Sequence, residues 1–276
     1  MKTLIVSAAL TALSGAAFAA TYEDVKAIAD PAEKGRKIAD ITEAQDAGFG
    51  DSEATMKMVL TNKNGQESTR ELRMKVLENP DPADGDKTMI VFDKPRDVAG
   101  TALLTYAHHT DSDDQWLFLP KPKPRVKRIS SKNKAGPFMG SEFAFEDFSS
   151  TEANKFSYTW LADEPCPVEE VKDRICAKVE RIPLYEDSGY TKQVSWTDTT
   201  DFNPRRVDYY DRRGAHLKTL TFTEYRQYQD KFWRSHNLSV ENLKTGKSTT
   251  LRWEDMTFSN GLSDSDFTKA SLKRAK

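Results

Sequence analysis

Four histidines are the chain's most versatile catalytic side chains: His108, His109, His216 and His236. His108 and His109 are followed by Asp111, Asp113 and Asp114, residue types that can hold a divalent cation. Adjacent residues on a strand point to opposite faces, so one strand cannot aim both rings at one ion. No metal site is expected from that pair. Ser130, Ser131 and Ser141 are candidate nucleophiles only if a histidine lies within hydrogen-bond reach. Met139-Gly140-Ser141-Glu142 lacks the second glycine and the strand-to-helix setting of a nucleophile elbow. There is no phosphate loop, zinc spacing or dinucleotide fingerprint. Asp81 to Asp86 has its glycine at the wrong position for a calcium loop and reads as a turn. These residues point away from catalysis: no enzyme activity, catalytic residue or cofactor is expected.

Binding chemistry is better represented. From Lys121 to Lys134 there are seven basic residues and no acidic one, with prolines at 120, 122 and 124. Alternate strand positions face the same edge, so these prolines remove three donors from one edge and suit an edge strand or its lead-in. Lys127, Arg128, Lys132 and Lys134 are candidates for contact with anionic head groups or an acidic partner. The alternative is a solvated hairpin paired with Asp111, Asp113, Asp114, Glu146 and Asp147. Next, Gly136-Pro137-Phe138-Met139-Gly140 sets two large apolar side chains between glycines, and such a loop must bury them or cover a cavity. Met56, Met58, Met74 and Met89 fall in the first three strand-like segments. Unbranched methionine adapts to ligands of variable shape, so Met56, Met58, Met74, Phe138 and Met139 are the candidate lining of an apolar ligand site. Plain core packing is their other reading.

The elements that would position these residues are mostly strands. Residues 22–47 carry a helical signal, with Asp30 as N-cap, Pro31 at the first helical position and Glu33 behind it. Ile38 and Ile41 give that helix a thin apolar stripe, and Gly48 and Gly50 end it. The period then changes to two: Met56, Met58 and Leu60, a turn at Asn62-Lys63-Asn64-Gly65, then Leu72, Met74 and Val76. Eleven further strand candidates follow, at 87–93, 101–108, 115–119, 125–130, 155–162, 176–182, 191–197, 205–210, 217–228, 232–242 and 249–258, with a short helix at 266–274. A sheet so wide must curl, split or close. The expected class is mainly β (α+β), a curved antiparallel sheet or open barrel whose concave face is covered by the N-terminal helices.

Composition sets the remaining bounds. With 41 basic and 43 acidic residues among 276 and a mean hydropathy of −0.70, a dedicated nucleic-acid binder and a multi-span membrane protein are excluded. The strongly apolar run is at the start, Leu4 to Leu13 after Lys2, and Ala17-Phe18-Ala19 supplies a small-x-small cleavage pattern. Residues 1–19 are read as a signal peptide cleaved after Ala19, and 20–276 as a single exported domain, with a Gram-negative periplasm as the compartment. Cys166 and Cys176 lie ten positions apart between strand-like segments, a spacing that a hairpin can close into a disulfide.

One ordered signature joins the unusual segments: Trp116-Leu117-Phe118-Leu119-Pro120, Lys127-Arg128-Ile129-Ser130-Ser131, Phe138-Met139-Gly140-Ser141-Glu142-Phe143 and Phe145-Glu146-Asp147-Phe148. Gly48-Phe49-Gly50-Asp51, Phe92-Asp93-Lys94-Pro95, Tyr209-Tyr210-Asp211-Arg212-Arg213-Gly214 and Gly261-Leu262-Ser263-Asp264 extend it. It resembles the family of outer membrane lipoprotein-sorting proteins, relatives of the periplasmic carrier LolA. The resemblance implies a LolA-like incomplete antiparallel barrel whose mouth is covered by helices. It also implies a carrier of lipoprotein acyl chains or other lipid-like ligands. An RND-type inner-membrane exporter or an outer-membrane acceptor is the implied partner. A non-carrier accessory module of such an exporter is the competing expectation.

Overall fold

The computed structural model describes residues 21–79, 81, 84–149 and 152–275; the expected leader lies outside them. Two helices, α1 (Tyr22–Lys26) and α2 (Pro31–Asp46), come first. The strands are β1 (Asp51–Thr61), β2 (Glu67–Leu77), β3 (Lys87–Lys94), β4 (Ala102–Tyr106), β5 (Asp114–Leu119), β6 (Arg125–Ile129), β7 (Phe156–Pro165), β8 (Ile175–Pro183), β9 (Tyr190–Asp198), β10 (Pro204–Asp211), β11 (His216–Tyr228), β12 (Phe232–Asn242) and β13 (Lys247–Phe258). A last helix, α3 (Lys269–Arg274), follows. Asp30 caps α2 by accepting from the Glu33 N–H at 2.8 Å, and Gly48 takes the left-handed conformation just beyond its end. The prolines at 120, 122 and 124 fall in the β5–β6 connection rather than within β6, which is an edge strand.

All thirteen strands form one antiparallel sheet in the order β6-β5-β4-β3-β2-β1-β13-β12-β11-β10-β9-β8-β7. It is curved and does not close, matching the LolA-like fold. Register shifts on β1, β10 and β7 add local twist. The order has a decisive consequence: β6 and β7 are neighbours in sequence yet occupy opposite edges of the sheet. The described residues of the segment between them, 130–149 and 152–155, run across the concave face. Phe138 and Phe143 from this crossover pack in one cluster with Met58 of β1, Leu72 of β2, Phe92 of β3, Val207 of β10 and Leu251 of β13. The N-terminal helices cover only one end. There α1 and α2 bury Val25, Ile38 and Ile41 against Phe156 and Tyr158 of β7 and Val179 of β8. On the convex side, Phe267 and Leu272 cover Leu104, Trp116 and Phe118. The expected cover of the concave face by the N-terminal helices is present over β7 and β8, and the crossover adds a second cover over the rest of the face.

Ion pairs with almost no solvent access pin the crossover down. The Lys218 ammonium of β11 meets the Asp147 carboxylate, with both side chains 3 % exposed, and also donates to the Glu142 carbonyl at 3.0 Å. Asp147 further accepts from the Ala144 N–H and the Tyr190 hydroxyl, both at 2.7 Å. Glu146 accepts from the Tyr185 hydroxyl at 2.7 Å and the Gly189 N–H at 2.8 Å. A buried pair gives little net stability over an apolar one, but an orphaned partner is costly. Lys218→Met should destabilise by about 3–5 kcal/mol in urea denaturation, and adding Asp147→Asn should recover part of the loss.

Cys166 and Cys176 are joined in a disulfide, with Cα atoms 4.9 Å apart. They pack with Val168, Val171 and Trp196 in a separate cluster. Replacing both by serine should cost about 3 kcal/mol through the freed loop, read as a lower melting temperature under oxidising conditions that reducing agent no longer changes.

Candidate functional site

Between α2, the concave face and the crossover lies a cavity of about 1160 Å³. Its roof is α2, through Ile38, Ala39 and Thr42. Its walls include Val179, Val207, Leu220 and Leu251 from the sheet and Phe143 and Phe148 from the crossover. The roof can approach the sheet closely because residue 35 is glycine. A Cβ there would lie 2.9 Å from the Trp160 backbone nitrogen of β7. Polar contacts at its rim hold the helix down: Arg36 donates to Asn154 at 2.6 Å and the Thr42 hydroxyl to the Phe202 carbonyl at 3.2 Å. At its far end Lys231 donates to the Ala47 carbonyl at 2.6 Å and Arg234 pairs with Asp46.

One region of the lining is strongly polar. Glu43 of α2, His109 of the β4–β5 connection and Glu152 at the end of the crossover bring their ligand-type atoms within 4.8 Å of one another. Burial, reinforced by the neighbouring Glu152 carboxylate, pushes the Glu43 carboxyl up to about 7. Asp86, which accepts from the Asn79 N–H at 3.0 Å, is pushed up to about 6, chiefly by burial. Asp113 pairs with Lys155, side chains 0 % and 3 % exposed, while Lys134 donates to the Asp113 carbonyl and to Ser112. Burial lowers the Lys134 ammonium from its usual value.

The residues singled out in the sequence divide between two places. Met56 and Met74 stand in the cavity wall. Met58 and Phe138 are fully buried within the core cluster, and Met139 packs against it while its carbonyl accepts from Arg70. These three are absent from the lining, because they are packed where the crossover meets the sheet. Lys127 and Lys132 are exposed on the β6 edge and just beyond it. Arg128 is also exposed, 69 % at the side chain, and pairs with Asp114. Lys134 is only 5 % exposed; it is turned inward by the Asp113 carbonyl, so it cannot serve as a surface contact. The Ser141 hydroxyl donates to the Phe138 carbonyl at 2.7 Å, and the His108 ring sits 2.9 Å from Asp84, so neither forms the serine–histidine pair that nucleophilic chemistry needs. Sequence reading missed Glu43, Asp86 and Glu152. Their signal is meagre, since an acidic residue on a polar helix or turn looks like any solvated one.

The architecture is an open, curved antiparallel sheet with a roofed cavity. The comparisons place it more narrowly. An outer membrane lipoprotein-sorting protein domain from Vibrio parahaemolyticus is 51 % identical, with a TM-score of 0.83 over 88 % of this chain and 100 % of that one. A DUF1329 family protein from Desulfovibrio piger is 28 % identical, with a TM-score of 0.81 over 88 % and 99 %. A LolA superfamily protein from Nitrosomonas europaea shares the fold, at 18 % identity and a TM-score of 0.66 over 86 % and 98 %. A family model described only as an uncharacterized protein matches residues 84–274. No curated protein matches. The chain belongs to the family of outer membrane lipoprotein-sorting protein domains, and its fold is LolA-like.

The raised Asp86 carboxyl carries a pH signature. A carboxyl that ionises near 6 when folded and near 3.8 when unfolded costs nothing well below pH 3.8, where both states are protonated. It opposes folding increasingly as pH rises between those two values and levels off above 6, at roughly 3 kcal/mol. Asp86→Asn should therefore raise the melting temperature at pH 7.5 more than at pH 4.5.

Proposed function

We propose that the protein is a periplasmic carrier that holds the acyl chains of a lipoprotein or another lipid-like ligand in the cavity under α2. The observation that supports this most is the cavity itself. At about 1160 Å³ it exceeds the roughly 300–1,000 Å³ of ordinary small-molecule sites, and aliphatic and aromatic side chains make up much of its wall. Burying each CH₂ of an acyl chain there contributes about 0.8 kcal/mol. Release needs α2 to lift, which breaks a small apolar interface with β7 and β8 together with a few hydrogen bonds and one ion pair at its rim. Among the described residues no helix is long and apolar enough to cross a membrane, in keeping with a carrier that moves between membranes. No residue is assigned a catalytic role.

Exposure of Lys127, Arg128 and Lys132 along the β6 edge favours a second reading, an accessory module that docks through this edge to an RND-type exporter or an outer-membrane acceptor. The two readings separate cleanly. Protein purified from its native envelope and extracted with organic solvent should release lipid detectable by mass spectrometry. Met74→Trp, which fills the cavity, should lower that occupancy by roughly tenfold, equivalent to ~1.4 kcal/mol, without unfolding the protein. Consistently empty wild-type protein would remove the carrier reading. Lys127→Glu with Arg128→Glu should leave loading intact and weaken membrane-partner binding.

A further inference from the structure

We propose that Glu43, His109 and Glu152 form a binding site for one divalent transition-metal ion, of the size and ligand preference of Zn²⁺, at the polar end of the cavity. The three side chains come from separate parts of the chain: the roof helix α2, the β4–β5 connection, and the residue that opens the last 3₁₀ turn of the crossover. Their ligand atoms all lie within 4.8 Å of one another. A tetrahedral zinc centre with bonds near 2.0–2.2 Å holds its ligand atoms about 3.3 Å apart. His109 Nδ1 and Glu152 Oε2 are 3.0 Å apart, close to that spacing.

Two further observations point to a missing ligand. His109 Nδ1 is shut off from solvent but makes no properly directed hydrogen bond, although the Glu152 oxygen is close. An imidazole nitrogen in that position lacks the partner that buried polar atoms nearly always have, and a metal ion would supply it. The charge is also unbalanced. Two carboxylates face each other, and among the described residues the basic group at ion-pair distance from Glu152 is His109 alone. One oxygen of Glu43 accepts from the Ala153 N–H at 3.1 Å, which orients the carboxylate towards Glu152. A divalent cation neutralises two carboxylates beside a neutral imidazole. The mixed nitrogen and oxygen donor set suits zinc-like ions and argues against calcium or magnesium, which take oxygen ligands.

His108 is a natural control. It faces the other way, with Nδ1 2.9 Å from Asp84 and Nε2 3.5 Å from Asp114. With three protein ligands the ion would keep a fourth position for water or for an anionic group of whatever fills the cavity. It would also tie the roof helix to the sheet. The site does not depend on the carrier reading, since it can be measured on protein free of lipid.

The test uses the mature protein, purified without a histidine tag, delipidated, stripped with chelator and titrated calorimetrically with Zn²⁺. Expected are one ion per chain and a rise in melting temperature on adding Zn²⁺. His109→Gln and Glu43→Gln should each weaken binding by at least about tenfold and abolish the thermal shift, whereas His108→Gln should leave both unchanged. Circular dichroism checks that each variant is folded, and Glu152→Gln replaces any that is not. Absence of one-to-one binding by the wild-type protein overturns the proposal whatever the variants do. So does binding that survives in His109→Gln, or that is lost equally in His108→Gln.

Discussion

The rest of the structure depends on where one connection has to run. Because β6 and β7 are the two free edges of an open sheet, the chain between them must join those edges, and its described residues do so across the concave face. That face is apolar, and a crossing segment can be stable there only if it carries apolar side chains inward and has every backbone and charged group satisfied. Residues 134–148 turn apolar side chains inward and pair their buried charges. Phe138, Phe143, Phe145 and Phe148 interleave with one another and with the sheet, while Glu146, Asp147 and Lys134 find internal partners. The plug thus occupies part of the concave surface, and the cavity is what remains between it and α2.

This arrangement divides labour along the sheet. The strands around β1, β2 and β13 meet the plug and form a packed core. The strands around β7 and β8 meet α2, whose apolar stripe is thin and whose rim contacts are polar. Local opening should be drawn from the less densely packed part, so the roof helix is the element suited to move while the plug stays put. Polar side chains cluster where the roof, the β4–β5 connection and the end of the plug converge, which is also where carboxylates are held above their usual range.

Buried charge has a further role here. Lys218 with Asp147 and Lys155 with Asp113 each join the plug, or its end, to another part of the chain. A purely apolar plug could slide or rotate within an apolar trough. An ion pair removed from solvent is satisfied in one register only, since every other register leaves a charge alone at a cost of several kcal/mol.

Much of this was legible in the residues themselves. Alternation of Met56, Met58 and Leu60 and the turn at Asn62 to Gly65 mark β1 and β2, Asp30 and Pro31 mark the start of α2, and the spacing of Cys166 and Cys176 marks a hairpin that closes on a disulfide. These are local signals, and local geometry decides them. Phe138 and Met139 announced a segment that must hide, but not which surface would hide it. Lys134 looked like one more charge in a basic run until the Asp113 carbonyl drew it inside. His109 was visible, but its neighbours in sequence were the wrong partners, because Glu43 and Glu152 reach it only after α2 has docked and the crossover has been laid down. Sequence by itself determined the strands, the helix caps, the disulfide and the family. Which charges are buried, and which residues face the cavity, was decided by strand order, since an open sheet with its consecutive strands at opposite edges brings together residues that no local pattern connects.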